Sequence, residues 1–133
     1  MVLSSAALTL FIDGLQSLGF QPVKLTDRSD CVIFDYCVES GKFAGKTVRL
    51  GLIVPQDFPN TPPTGPHVSP NIHAPCQNGA HPTGGIHQQN SEPFQTGAGG
   101  QWQYWSRPFP GWAEERKTVV VYMSHIWRLW DTQ

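Results

Sequence analysis

A chain of 133 residues, 39% of them hydrophobic, is long enough to bury one hydrophobic core. At this length we do not expect a second domain. Nine basic and ten acidic residues give a formal net charge of -1, and charged residues make up only 14% of the chain. Because a nucleic-acid surface or a disordered charged tail needs an excess of one sign, we expect neither. The sequence predicts a single domain, residues 1–133, with no nucleic acid among its partners.

The amino-terminal residues and the cysteines indicate where the protein works. The first residues lack a basic region, and Asp13 interrupts them before they reach the pattern of a signal peptide. No apolar run approaches the roughly 18 residues that cross a bilayer. Cys31, Cys37 and Cys76 form no CxxC pair and leave one thiol unpaired whatever is bridged, which is typical of a reducing compartment. We therefore expect a cytoplasmic protein with no membrane partner.

Apolar residues recur at helical spacing between residues 4 and 18. Ser4 or Ser5 is suited to cap the start of this helix, and Gly19 is suited to end it. The predicted buried stripe consists of Leu8, Phe11, Ile12, Leu15 and Leu18.

Two runs rich in β-branched and aromatic residues follow, at residues 31–38 and 47–54, separated by the turn-forming GKFAGK. They predict an antiparallel hairpin whose second strand alternates between a packed and a polar face. A short strand around residues 22–26 is expected at the sheet edge, where proline is tolerated. Cys31 and Cys37 lie in the first run, so we interpret both as core residues.

Residues 55–112 hold eleven of the twelve prolines and eight of the thirteen glycines, and they show no convincing periodicity. An irregular segment of this length is typical of function or disorder, and its many aromatic residues favour an ordered functional region.

Helical spacing returns from Glu114 to Asp131. Glu114 and Glu115 suit the positive end of a helix dipole, which predicts that the helix begins there. His125 lies near the polar side and is interpreted as a solvated residue. The predicted buried stripe consists of Val119, Tyr122, Met123, Ile126, Trp127 and Trp130.

Three stretches resemble a known family. VRLGLIVPQDFPNTPP, residues 48–63, is similar to a strand and the Tyr-Pro-x-x-Pro-Pro turn of the ubiquitin-conjugating (UBC) superfamily. Ser69-Pro70-Asn71-Ile72 resembles the family's His-Pro-Asn-Ile box with serine in place of histidine. WQYWSRPFPGW, residues 102–112, is similar to a segment of bacterial members, and the resemblance covers roughly residues 48–130.

The resemblance implies an α+β fold of UBC-like type. An N-terminal helix, an antiparallel β-meander sheet, a long irregular active-site segment and a C-terminal helix packed on the sheet would follow in that order. It also implies a bacterial transferase that accepts a ubiquitin-like modifier as a cysteine thioester from an adenylating, activating enzyme and passes it to a target amine. Such bacterial members belong to conjugation operons implicated in antiviral defence against phage.

The resemblance places the nucleophile at Cys76, which follows the box as the family's catalytic cysteine does. Cys76 lies in a polar turn, and His73 and His81, when protonated, would lower the pKa of its thiol. Asn71 is expected to donate a hydrogen bond to the oxyanion formed as the amine attacks the thioester.

A second alignment matches HPTGGIH, residues 81–87, with the box and puts His87 where the cysteine should be. That interpretation describes a catalytically inactive binding module, or scaffold, for the modifier or the activating enzyme.

Zinc is a further alternative, with His73 and Cys76 chelating and His67, His81 or His87 completing the ligand set. The spacing follows no regular finger pattern, so we expect no metal and no other cofactor.

Partner binding is also predicted for Trp102, Trp105 and Arg107. Tryptophan is favoured at interfaces, and Arg107 is suited to pair with a carboxylate. For the tryptophans, anchoring in the core is the competing interpretation.

Overall fold

The computed structural model describes residues 5–26, 28–70, 85–87 and 91–132, with the backbone alone for 85–87. This part of the chain forms three α-helices and six β-strands, with one 3-10 turn at Trp112–Glu114. In chain order they are α1 (Ala6–Ser17), β1 (Val23–Lys24), β2 (Cys31–Cys37), β3 (Thr47–Ile53), β4 (His67–Ser69), β5 (Gly85–His87), α2 (Glu92–Ala98), β6 (Gln103–Ser106) and α3 (Val119–Thr132).

The strands form one sheet in the order β1-β2-β3-β4-β6-β5, and every neighbouring pair is antiparallel. The predicted α+β class with an antiparallel sheet is confirmed, as are the β2–β3 hairpin and the short strand at the edge. Because β4 and β5 both run antiparallel to β6, they are parallel to each other.

The first helix forms as its sequence predicts, except that Leu18 of the predicted buried stripe is 40% exposed because it lies at the end of the helix. Its N-cap is Ser5, whose Oγ accepts a hydrogen bond from the Leu8 N–H at 3.0 Å. Gly14 lies against α3, since a Cβ built there would come within 2.5 Å of the Val119 side chain. The chain leaves the helix through Gly19, which has a φ of 94°.

The main core lies between one face of the sheet and the helices α1 and α3. Alternate residues of β2 and β3 supply it, so the period-two pattern of these strands is a consequence of one buried face. Trp105 of β6 packs on Trp130 of α3 with ring centroids 4.8 Å apart. The strand residues of this core include Val32, Phe34, Tyr36, Val48, Leu50, Leu52 and Val68.

A second, smaller cluster covers part of the opposite face of the sheet. Phe94 of α2 lies directly over Gly51, where a Cβ would be 2.6 Å from the ring. Trp102 packs beside it with ring centroids 5.3 Å apart, and Cys31 and Ile33 complete the layer. The sheet is therefore buried on both sides in this region.

The segment at residues 55–112, which the sequence predicts to be irregular, contains short regular elements between its irregular stretches. The described part of that segment contributes β4, β5, α2 and β6. Each of these strands has only three or four residues, and β6 is buried at three successive positions. Strands that are short and buried on both faces show no alternation, so their sequence carries no periodic signal.

The last helix begins at Val119 and not at Glu114. Gly111 has a φ of 73°, and after the 3-10 turn Glu115 is extended. The helix starts after Thr118, whose Oγ1 accepts a hydrogen bond from the Val121 N–H at 3.2 Å. Within the described residues no helix has the length and apolar composition needed to cross a membrane.

Two predictions for side chains of this helix are wrong: His125 was expected to be solvated, and Trp127 was expected to be buried. His125 is buried, because its Nε2 hydrogen bonds to the Arg107 carbonyl at 3.0 Å and its ring packs on Phe109. Trp127 is 40% exposed. The hydrogen bond between His125 and the Arg107 carbonyl cannot be inferred from the apolar stripe, so nothing in the sequence indicated that His125 is buried.

Candidate functional site

The four predicted catalytic residues, Asn71, His73, Cys76 and His81, lie outside the described residues, so their roles stay predictions. The described chain on either side of them belongs to the same part of the sheet. β4 ends at Ser69, β5 begins at Gly85, and both strands pair with β6. The described surroundings of the candidate site are therefore the strands and turns that flank this segment.

The strand register brings two histidine positions to the same tyrosine. The Cα partner of Tyr104 in β4 is His67, and its Cα partner in β5 is His87. His87 is the position at which the second alignment replaces the nucleophile. The sequence alone did not indicate this juxtaposition, because it depends on the pairing of β5 with β6.

His67 is the most constrained polar side chain of the region. It is 2% exposed, and its ring lies between those of Phe94 and Tyr104, at centroid distances of 4.5 and 4.7 Å. Its Nδ1 shares a hydrogen bond of 2.7 Å with the Oγ of Ser91, which is fully buried just before α2. Burial lowers the pKa of His67 to about 3, so the imidazole is neutral at physiological pH.

The hydrogen bond between His67 and Ser91 joins residues on opposite sides of the segment that carries Cys76. A neutral imidazole can donate or accept at Nδ1, and the serine hydroxyl can do the same. The pair therefore stays satisfied without a net charge inside an aromatic environment. Its chemical role here is to hold the start of α2 against β4.

The turn before β4 is bound to β6 by three hydrogen bonds. The Tyr104 hydroxyl donates to Thr64 Oγ1 at 2.7 Å, and the Arg107 N–H donates to the Thr64 carbonyl at 3.1 Å. The Trp105 N–H donates to the Pro66 carbonyl at 2.9 Å. Only glycine fits at position 65, between Thr64 and Pro66, since a Cβ there would lie 1.9 Å from the Trp105 carbonyl oxygen.

The proline-rich turn and the tryptophan-rich segment meet in the structure. The Trp112 Nε1–H donates to the Pro59 carbonyl at 2.9 Å. Phe58 is buried, with its ring 5.1 Å from that of Phe11 in an edge-to-face contact. The Phe58-Pro59 and Ser69-Pro70 peptide bonds are both cis. These contacts fix the approach of the chain to β4, from which the predicted active-site segment departs.

Trp102, Trp105 and Arg107 do not form an exposed binding surface. Both tryptophans are fully buried, and Arg107 is 5% exposed. The Trp102 Nε1–H donates to the Gly99 carbonyl at 3.0 Å, and that of Trp105 donates to Gln103 Oε1 at 3.0 Å. Burial lowers the pKa of Arg107, whose guanidinium lies 5.9 Å from the Trp105 ring. In this structure the three side chains anchor β6, as the competing interpretation of the tryptophans expected.

The two described cysteines differ in exposure. Cys31 is buried beneath α2, as expected, whereas the expectation that Cys37 is buried is wrong because Cys37 is exposed. The reason is that α2 covers only part of this face of the sheet. Neither of these two cysteines forms a disulfide within the described residues, and the Cys31 thiol donates a hydrogen bond to Asp30 Oδ1 at 3.3 Å.

No cluster of three or more histidine, cysteine or acidic residues suited to a metal occurs within the described residues. Of the proposed zinc ligands, His67 already uses Nδ1 for its bond to Ser91. His73, Cys76 and His81 lie outside the described residues, so the zinc hypothesis stays a prediction.

Comparison with known proteins gives no match to a protein-family model, to a curated protein or to a solved structure.

Proposed function

We propose that the chain is a UBC-like conjugating enzyme of a bacterial antiviral conjugation system. Cys76 receives a ubiquitin-like modifier from an adenylating, activating enzyme and transfers it to a target amine. The observation that supports this most strongly is the order of elements around the predicted box. A helix, an antiparallel meander β1 to β4 and a prolyl turn before β4 lead directly into Ser69-Pro70-Asn71-Ile72.

The chemistry assigns one role to each predicted residue. The Cys76 thiolate attacks the activated carboxyl carbon of the modifier and displaces the sulfur of the activating enzyme, so that one thioester replaces another. The target amine then displaces the Cys76 sulfur, while Asn71 stabilises the oxyanion. His73 or His81, when protonated, lowers the pKa of the Cys76 thiol, whereas His67 is enclosed by aromatic rings and has a pKa of about 3.

A catalytically inactive binding module is the second candidate. One observation favours it: Ser69, at the end of β4, stands where the family's box has histidine. In that case the domain would bind the modifier or the activating enzyme without forming a covalent bond.

The test is a charging reaction with the purified protein, its cognate activating enzyme, the modifier and ATP. We expect an adduct that thiol reagents cleave and that Cys76→Ala does not form. Cys37→Ala is the matched control, because Cys37 is an exposed free thiol on the folded surface and its removal should leave charging intact. An adduct that persists in Cys76→Ala would exclude Cys76 as the nucleophile.

The same preparation separates the remaining alternatives. If wild type forms no adduct but Cys76→Ser still co-purifies with the modifier or the activating enzyme, the binding module is correct. Zinc below about 0.2 equivalents in untagged protein would argue against a tightly held structural metal. Genes for an activating enzyme and a ubiquitin-like protein beside this one would support the operon assignment.

A further inference from the structure

The outer edge of β2 is longer than the strand that pairs with it. β1 contributes only two paired residues, Val23 with Ile33 and Lys24 with Val32, whereas β2 continues to Cys37. Before Val23 the chain contains Pro22, which has no N–H to donate. Beyond Ile33, therefore, no described strand lies along this edge of β2.

The hydrogen bonds at both ends of β2 show which backbone groups point outward. The Val38 N–H donates to the Lys46 carbonyl, on the β3 side, and the Leu25 N–H donates to the Cys31 carbonyl, on the β1 side. Since the direction alternates along a strand, the N–H and C=O groups of Asp35 and Cys37 point away from β3. These groups face the open edge and meet no backbone partner in the described chain.

A cavity of about 540 Å³ lies at this edge. The residues that line it include Phe20, Ile33, Phe34, Asp35 and Arg49. Its volume is within the range of about 300–1,000 Å³ that is common for binding sites. Phe20 forms one wall and is held by ring contacts with Phe34 and Tyr36, at 5.2 and 6.0 Å.

The exposed charge at the cavity is the carboxylate of Asp35. Asp35 is the Cα partner of Arg49, but within the described residues the two form no ion pair. The Arg49 guanidinium instead lies 5.2 Å from the Trp102 ring. Asp35 therefore remains available to a cation that approaches from the open side of β2.

We propose that this edge binds an extended segment of a partner protein, which adds a strand beside Asp35 and Cys37. The main-chain groups of the segment would pair with the outward N–H and C=O groups of β2, as in other cases of strand addition. A lysine or arginine of the segment would lie opposite Asp35, since opposite charges at directly facing positions stabilise a strand pair. This interaction is independent of the Cys76 chemistry.

The probe is an acetylated, amidated heptapeptide of alternating threonine and valine with lysine at the centre. Two companions differ from it only in a central glutamate or in N-methylation of alternate backbone amides. Titration to about 2 mM, followed by NMR, should shift the amide signals of Asp35 and Cys37 saturably. We expect the lysine peptide to bind about fivefold more tightly than the glutamate peptide, and the N-methylated peptide not to bind.

Two pairs of protein variants connect binding to the edge itself. Asp35→Lys should reverse the preference between the lysine and glutamate peptides, whereas Asp13→Lys, on the exposed face of α1, should leave it unchanged. Cys37→Pro removes an outward N–H without removing a bond to β3, so it should abolish binding. Cys37→Ala, which keeps that N–H, should bind as wild type does.

Several results would overturn the proposal. Signals at Asp35 and Cys37 that do not shift, an N-methylated peptide that binds equally well, or an unchanged preference in Asp35→Lys would each do so. The same shifts on raising the protein concentration without peptide would assign the edge to a second copy of the chain and would also contradict it. If Cys37→Pro fails to fold, the N-methylated peptide still decides the role of the main-chain bonds.

Discussion

His67 shows how a buried histidine can be held by packing and one hydrogen bond. Its ring is enclosed by Phe94 and Tyr104, and its Nδ1 is bonded to Ser91. The unfolded chain exposes the same imidazole, where its pKa is about 6.5. Folding therefore lowers the pKa of His67 to about 3, and this difference links stability to pH.

We predict that His67 makes the protein less stable as the pH falls from about 6.5 towards 3. In this window the unfolded state binds a proton that the folded state excludes, so the free energy of unfolding decreases; above pH 6.5 the effect is absent. Between pH 7 and pH 4.5 the loss attributable to His67 should be about 2.5 kcal/mol. Urea unfolding of wild type and His67→Gln at several pH values measures it.

The matched control for this prediction is Ser91→Ala. It removes the hydrogen bond but leaves His67 buried, and burial is the cause of the lowered pKa. Ser91→Ala should therefore be less stable at every pH and retain the slope that His67→Gln loses. An equal slope in wild type and His67→Gln would contradict the assignment.

At the scale of the elements, the start of α3 tests whether a helix begins at its acidic residues or at its hydrogen-bonding cap. Thr118 accepts a hydrogen bond from the Val121 N–H, whereas Glu114 lies in the preceding 3-10 turn. We predict that Thr118→Ala lowers the free energy of unfolding by about 1 kcal/mol. Glu114→Ala should change it by less than about 0.5 kcal/mol. Denaturant unfolding of both variants measures these two changes. A larger loss of stability in Glu114→Ala than in Thr118→Ala would indicate that the helix begins at Glu114.

The elements that the sequence predicted are those whose own residues carry a regular pattern. α1, β2 and β3 each present one apolar face to the main core over several residues, so their periodicity and the cap of α1 identified them. β4, β6 and α2 are short, and their buried side chains contact residues far away in the sequence. Val68 of β4 packs in the main core, Phe94 of α2 packs on Gly51, and Trp105 of β6 packs on Trp130. No local pattern encodes such contacts, and the same is true of the bond between His67 and Ser91.

At the scale of the whole molecule, the two clusters share one sheet. β2 and β3 supply residues to both faces, so neither layer has strands of its own. The sequence predicted the layer formed by α1 and α3 but not the second layer under α2. It could not do so because Phe94 lies in a stretch whose prolines and glycines are typical of a loop.

We predict that the two layers unfold together. Phe94→Ala should lower the free energy of unfolding by about 3 kcal/mol, because Phe94 is fully buried over Gly51. Leu10→Ala, at a position 48% exposed, should cost much less and serves as the control. Tryptophan fluorescence and far-UV circular dichroism should give coincident transitions in all three proteins. A separate early transition in Phe94→Ala would show that α2 unfolds alone.

The parallel relation between β4 and β5 limits how short the chain between them can be. Ser69 lies at one end of the sheet region and Gly85 at the other, because their strands point the same way on either side of β6. Antiparallel neighbours can be joined by two residues, but parallel strands need a connection of about a dozen or more. Residues 70–84 are close to that minimum, whereas insertions would cost only about 0.6 kcal/mol for each doubling in length. The connection from β4 to β5, which contains the predicted nucleophile Cys76, can therefore lengthen readily, but it can shorten only until β5 is pulled away from β6.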